Sequence, residues 1–226
     1  TGTDGKTSCG HFIAQALNSD DRRCGVIGTL GYGLFDELAS GTHTTPDALT
    51  LQQALRTMQR QGARCVVSEV SSHAMEMGRV NGTRFDVVAF TNLSQDHLDY
   101  HGTMESYSEA KSKLFETEGL KSAVINLDDD FGRILAEKYK GQLTVYGYST
   151  SADIGALEPC ADFIVYAKSL KATKHGFEIN VVTPKGAGYF ALNLMGHFNV
   201  SNALAVLATL LLNNVAFDES IKRLQA

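Results

Sequence analysis

The first seven residues, Thr1-Gly2-Thr3-Asp4-Gly5-Lys6-Thr7, read as the back half of a phosphate-binding loop, and this limits the fold more than any other stretch. In such a loop backbone N–H groups surround nucleotide phosphates, a Lys reaches the β- and γ-phosphates, and a Thr hydroxyl ligates Mg²⁺. The loop opens a helix and sits between strands. Phe12, Ile13, Ala16 and Leu17 supply an apolar helix face, and Cys24–Ile27 is the next apolar run. A Gly-rich turn capping a helix is the alternative reading of the same residues. The strand that feeds such a loop is not in the sequence, nor is an initiating Met. The chain is therefore expected to be a piece of a longer protein.

Strand and helix patterns alternate after the loop. A helix to about Leu17 precedes a strand over Cys24–Thr29, then a polar loop carrying Gly31, Gly33 and Gly41. Thr44-Thr45-Pro46-Asp47 predicts a helix start, with Thr45 as the N-cap, Pro46 in first position and Asp47 in the first turn. Ala48, Leu51, Leu55 and Met58 then recur at helical spacing to Gly62. Strands are expected at Arg64–Glu69, Phe85–Thr91, Ser122–Asn126 and Leu143–Tyr148, with helices near Met104–Phe115 and Asp130–Lys138 between them. This predicts an α/β fold: a mostly parallel, doubly wound sheet of the P-loop kind with helices on both faces. Past residue 150 the pattern becomes a small antiparallel meander over Phe163–Leu170, Phe177–Thr183 and Gly188–Leu194. A helix from about Asn199 to Leu212 follows, and the last residues start another.

At 226 residues and 43% hydrophobic content the chain can bury a full core. Its net charge of −5, with no basic run, excludes a nucleic-acid-binding face. The longest apolar stretch, Ala203 to Leu212, is about half of the ~20 residues a membrane span needs, so no membrane insertion is expected. The four cysteines, Cys9, Cys24, Cys65 and Cys160, lack C-x-x-C spacing and read as reduced, packed thiols of a cytoplasmic protein. The Asn-x-Ser/Thr triplets at Asn81, Asn92 and Asn199 are then chance matches.

In doubly wound sheets ligands bind beyond the carboxyl ends of the strands. Two predicted strands end there in polar strings: Ser68-Glu69-Val70-Ser71-Ser72-His73, and Thr91-Asn92-Leu93-Ser94-Gln95-Asp96-His97-Leu98-Asp99-Tyr100-His101. Glu69 could take Mg²⁺ beside Thr7; an N-cap or surface carboxylate is the alternative, although a carboxylate just past an apolar strand is costly unless solvated or bound. His97 and His101 would share a helix face at i, i+4. Gly102 favours a loop instead, which discounts a two-His zinc site.

Taken together these strings resemble the central ATPase domain of the Mur ligases of peptidoglycan precursor synthesis. The resemblance rests on Thr-Gly-Thr-Asp-Gly-Lys-Thr-Ser at 1–8, Thr-Thr-Pro-Asp at 44–47, Glu-Val-Ser-Ser-His at 69–73 and Phe-Thr-Asn-Leu-Ser-Gln-Asp-His-Leu-Asp-Tyr-His-Gly at 90–102. Glu-Ala-Lys at 109–111, Asn-Leu-Asp-Asp at 126–129 and Met-Gly-His-Phe-Asn-Val-Ser-Asn at 195–202 complete it, in family order. Thr-Thr-Pro and Glu-Val-Ser-Ser-His point to the branch that makes the UDP-muramoyl tripeptide.

The resemblance implies an ATP-dependent, ADP-forming carbon–nitrogen ligase. This domain, residues 1–226, would lie between an N-terminal UDP-binding domain and a C-terminal amino-acid-binding domain, both outside the chain. The γ-phosphoryl of ATP would pass to the D-Glu side chain of UDP-MurNAc-L-Ala-D-Glu, and the amine of meso-diaminopimelate or L-lysine would attack the acyl phosphate. Such a transfer needs charge neutralisation and in-line positioning more than covalent chemistry. Carried over, Gly2, Thr3, Asp4, Gly5, Lys6, Thr7 and Ser8 hold the phosphates, Thr7 and Glu69 a first Mg²⁺, and His97 a second. Lys111 would be carbamylated by CO₂ and become an anionic Mg²⁺ ligand; from its residues alone it reads as a solvated helix Lys. Asn199 and Asn202 would meet the adenine, with helix capping as the alternative for Asn199.

Thr44, Thr45, Ser71 and Arg79 would grip the UDP-muramoyl dipeptide. His43 and Met77 stand where the family has Asn and Gln, and Asp4 replaces a common Asn, so its carboxylate must point away from phosphate. A monomer is implied, with no nucleic-acid partner. Two alternatives are another Mur-like ligase, of the folylpolyglutamate or cyanophycin synthetase kind, and a nucleotide-binding module without catalysis. The choice of added amino acid belongs to sequence beyond Ala226, where an Asp-Asn-Pro-Arg string would point to diaminopimelate.

Overall fold

The computed structural model describes residues 1–19 and 21–225, which form two compact units. The first unit takes Thr1–Phe85 and Ser94–Gly119. Its helix α1, Lys6–Leu17, buries Cys9, Ile13, Ala14, Ala16 and Leu17; of the expected apolar face, Ile13, Ala16 and Leu17 are buried and Phe12 is half-buried. Strand β1, Cys24–Gly28, is buried at every position. Gly31–Leu34 (β2) and Glu37–Ala39 (β3) then fold back as an antiparallel hairpin. That hairpin corrects the expectation of a polar loop. Gly31 and Gly33 have φ of 127° and 150°, and a Cβ on either would fall 2.2 Å from the Ala39 carbonyl oxygen or 2.4 Å from that of Glu37. The glycines thus allow two backbones to approach closely, a strand role that composition does not distinguish from a loop.

Helix α2 spans Ala48–Arg60 and buries Leu51, Ala54 and Met58. Its N-cap is Asp47, whose carboxylate accepts from Leu49 N and Thr50 N, so the expected cap at Thr45 is corrected. An Asp with extended backbone satisfies the first-turn amides directly, which frees Thr45 for other contacts. Strand β4, Cys65–Ser68, runs parallel to β1, giving the order β3-β2-β1-β4. Two short helices were not foreseen: α3, Ser72–Glu76, capped by Ser71, and α4, Leu98–His101. Helix α5, Met104–Ser112, runs into a 3₁₀ turn over Lys113–Glu116 and packs against α3 and α4.

The second unit comprises Asp86–Leu93 and the chain from Leu120 onward. Strands β5 (Val87–Phe90), β6 (Ser122–Asn126), β7 (Thr144–Ser149) and β8 (Phe163–Ala172) pair in parallel. β9 (Phe177–Thr183) and β10 (Gly186–Leu192) continue from β8 as the predicted antiparallel meander. Helix α6, Asp130–Tyr139, packs on β6 and β7. Helix α7, His197–Leu212, is buried from Ala203 to Leu211 and lies against β6, β7 and β8, as an all-round apolar helix must. Helix α8, Phe217–Leu224, packs on α7 and β10. The expected α/β fold with parallel strands and a late meander is therefore present. Among the described residues no helix is long and apolar enough to cross a membrane.

Candidate phosphate and metal site

The first unit gathers most of the residues singled out from the sequence. Gly2 and Gly5 take φ of 148° and 78°, left-handed conformations that turn the loop into α1. Gly5 occupies the N-cap without a side-chain cap, so the first amides of α1 are left to an outside acceptor. A helix start of this kind attracts anions. The Lys6 ammonium folds over the loop and donates to the carbonyl oxygens of Gly2 at 2.9 Å and Thr3 at 2.7 Å. Burial holds its pKa below the usual value, against the pull of Glu69, Asp4 and Asp96. Asp4 is exposed, and Ser8 lies in the first turn of α1.

Glu69 follows β4 and is only 4% exposed. Its Oε2 accepts from Thr7 Oγ1 at 2.8 Å and Thr29 Oγ1 at 3.3 Å, and its Oε1 from Thr29 N at 2.8 Å. These partners are neutral. With the Thr7 hydroxyl the buried carboxylate makes the hard oxygen pair that Mg²⁺ prefers. The residues present therefore fit a phosphate on the loop and Mg²⁺ at Thr7 and Glu69. Gly28 makes the packing possible, since a Cβ there would lie 2.1 Å from Glu69 Oε1. The sequence reading passed over Gly28 and Thr29, although both end β1 beside the Glu69 position, where polar strand ends were being sought.

Lys111 is 1% exposed, which overturns the solvated-helix reading. Its Nζ donates to Gly2 O at 2.9 Å, the same carbonyl that accepts from Lys6, and lies 4.3 Å above the Tyr107 ring. Burial first, and then the neighbouring Lys6 charge, lower its pKa to about 7 despite Asp96 and Asp4. Tyr107, one helical turn before Lys111, was also missed; its hydroxyl meets Thr3 Oγ1 at 3.2 Å. A Tyr at i−4 from Lys111 was the available signal.

His97 adopts a left-handed φ of 53° and begins α4, with Asp96 accepting from its backbone N–H at 2.8 Å. Its ring stands edge-on to His73 at 4.9 Å and to Tyr107 at 6.1 Å. His101 does lie one helical turn on, but its Nε2 pairs with Ser72 Oγ at 2.9 Å. Among the described residues no group of three or more His, Cys, Asp or Glu is arranged to hold a metal ion.

The loop expected to grip the dipeptide is braced from inside. Thr45 is 1% exposed; its hydroxyl donates to Glu69 O at 2.8 Å and accepts from Ser71 N at 3.2 Å. Arg79 donates to Thr45 O at 2.9 Å and to the Met77 sulfur at 3.0 Å. Thr44 Oγ1 meets Thr29 Oγ1 at 3.0 Å, and His43 is exposed, its Nδ1 on Thr42 Oγ1. In the second unit, α7 starts at His197 with Gly196 as cap. Asn199 therefore sits inside the first turn, its Nδ2 on Met195 O at 2.8 Å and its Oδ1 accepting from Asn202 at 3.3 Å.

Residues 1–210 match the Mur ligase middle domain family. The chain is 48% identical over 224 residues to the UDP-N-acetylmuramoyl-L-alanyl-D-glutamate–2,6-diaminopimelate ligase of Coxiella burnetii, covering 99% of this chain and 45% of that protein. It is 46% identical over 222 residues to the like-named ligase of Ectopseudomonas mendocina, covering 98% and 44%. A solved structure of a ligase of that name superposes with a TM-score of 0.87 at 37% identity, covering 99% of this chain and 44% of its own. The chain thus spans less than half the length of the curated relatives it matches.

Proposed function

We propose that this chain, which belongs to the Mur ligase family through its middle domain, is the ATP-binding part of a ligase that joins an amino acid to UDP-MurNAc-L-Ala-D-Glu. Diaminopimelate is preferred over L-lysine as that amino acid, because the similar ligases carry it in their names. The carrying observation is the buried Thr7–Glu69 pair beside a phosphate-type loop whose helix start is uncapped. A UDP-binding domain before this one and an amino-acid-binding domain after it complete the proposal, with the whole acting in the cytoplasm as a monomer.

The residues divide the work. Lys6 and the amides at the start of α1 bind and orient the β- and γ-phosphates of ATP. Thr7 and Glu69 would hold a first Mg²⁺ and His97 a second, and these metals would supply charge neutralisation for the transferring phosphoryl group. Arg79 suits a substrate carboxylate or phosphate, with Thr45 and Ser71 fixing the loop around it. Asn199 and Asn202 would meet the adenine.

Lys111 carries the least expected role. Carbamylation needs the neutral amine: its nitrogen forms a bond to the carbon of CO₂, one proton is released, and an anion results. A buried Lys with its pKa lowered to about 7 exposes that amine to reaction near neutrality, where an ordinary Lys would not. The test is Mg²⁺-dependent ligation by the natural protein, with diaminopimelate and L-lysine compared and Glu69→Ala as the control. Ligation unaffected by Glu69→Ala would overturn the reading.

A further inference from the structure

Cys24 and Cys65 open the two parallel strands β1 and β4 and are direct partners in their register. Neighbouring strands lie about 4.8 Å apart, and register partners in a parallel pair project from one face of the sheet. The Cα separation typical of disulfides is roughly 4.4–6.8 Å. The Cys24 S–H donates to Gly25 O at 3.6 Å, and the register places its side chain beside that of Cys65. They differ in access: Cys24 is fully buried, whereas Cys65 is partly exposed. The Arg22 charge acts on Cys65 and favours its thiolate.

We propose that Cys24 and Cys65 are a peroxide-reactive dithiol, in which Cys65 is the attacking sulfur and Cys24 the resolving one. The Cys65 thiolate attacks one oxygen of a hydroperoxide. An S–O bond forms, the O–O bond breaks, and the leaving oxygen departs as an alcohol or water after taking a proton. The Cys24 sulfur then attacks the Cys65 sulfenic acid, forming the disulfide and releasing water. Each sulfur gives up one electron and the peroxide takes both.

The electrostatics favour this order. The neighbouring Cys24 thiol and the Arg22 charge draw the Cys65 thiol below its usual pKa, while Cys65 and burial push Cys24 up. The more exposed sulfur is therefore the one that ionises, as a peroxide-reactive thiol must. A resolving thiol on the register partner would trap the sulfenic acid before a second oxidation. Both cysteines lie at the far ends of β1 and β4 from Thr29 and Glu69, so the pair is separate from the phosphate site. Cys9 and Cys160 provide internal comparison: burial raises both pKa values, Cys9 to about 12.

The natural protein is treated with hydrogen peroxide, its remaining thiols are alkylated under denaturing conditions, and the digest is mapped by mass spectrometry. The expected result is one cross-linked peptide pair joining Cys24 to Cys65, lighter than the separate peptides by two hydrogens and released by dithiothreitol. Cys9 and Cys160 remain alkylated. Cys24→Ala should leave a dimedone-reactive sulfenic acid on Cys65, and Cys65→Ala should leave Cys24 alkylated. The proposal fails if wild-type Cys65 goes to sulfinic acid without cross-linking. It also fails if Cys9 or Cys160 oxidises as fast as Cys65, or if Cys24 is oxidised in the Cys65→Ala protein.

Discussion

Gly28→Ala places one methyl group against the Glu69 carboxylate and nothing else within 3 Å. A Cβ at residue 28 would lie 2.1 Å from Oε1 and 2.9 Å from Cδ, where ordinary contact begins at 3.4 Å. The carboxylate must retreat by about 1.3 Å, which carries Oε1 out of reach of the Thr29 amide now at 2.8 Å. Gly28 does not have a positive φ, so Ala is tolerated by the backbone and the side chain absorbs the clash. Losing a hydrogen bond to a charged group costs about 1.5–3 kcal/mol. Disturbing contacts that orient a metal ligand typically weakens metal binding ~10–100-fold. Calorimetric titration of Mg²⁺·ATP into the natural protein and its Gly28→Ala variant measures this, with thermal unfolding run in parallel. The expected result is a fall in affinity of about 10-fold or more with cooperative unfolding retained. Affinity within about twofold of wild type would refute the reasoning that Glu69 must sit where Gly28 allows.

Glu69→Ala and His97→Ala are expected to abolish ligation by the natural protein while leaving its circular dichroism unchanged; near-wild-type turnover of either at saturating Mg²⁺ would count against the two-metal assignment. Lys111→Ala should lose ligation and regain part of it from a small carboxylic acid in the buffer, whereas Lys111→Arg stays inactive because a guanidinium cannot stand in for a carboxylate; an active Arg variant would remove the carbamate role. In CO₂-depleted buffer, Lys111→Met should raise the unfolding temperature more at pH 6 than at pH 9. Between its lowered value of about 7 and its ordinary 10.5, the unfolded chain binds a proton that the folded chain does not. Wild-type stability therefore rises with pH across that window, by up to about 1.4 kcal/mol per unit, and the full burial penalty is present below it. An equal gain at both pH values would show that Lys111 is not buried with a depressed pKa.

Sequence by itself determined most of the longer elements and the course of the loop. The apolar stripe of α1, the strand runs at Cys24, Ser122 and Thr144, and the meander after residue 150 each carry their period locally, and tertiary packing only had to accept them. The loop was legible for the same reason, because Gly2, Gly5, Lys6 and Thr7 fall within one short run whose turns the two glycines set. The hairpin over 31–39 was not legible, since glycines that admit a close strand look like glycines that make a loop. Nor was the cap of α2, where Thr45 and Asp47 offer similar oxygens and only packing decides which faces the helix. What the tertiary structure decided is which distant residues share a charge environment. Gly2 and Lys111 are 109 residues apart, Thr29 and Glu69 40 apart, yet each pair is within hydrogen-bonding distance. Burial, not residue type, lowers the Lys111 pKa to about 7. Spacing along the chain carries no record of burial, because the desolvation that lowers a pKa comes from neighbours the fold brings in.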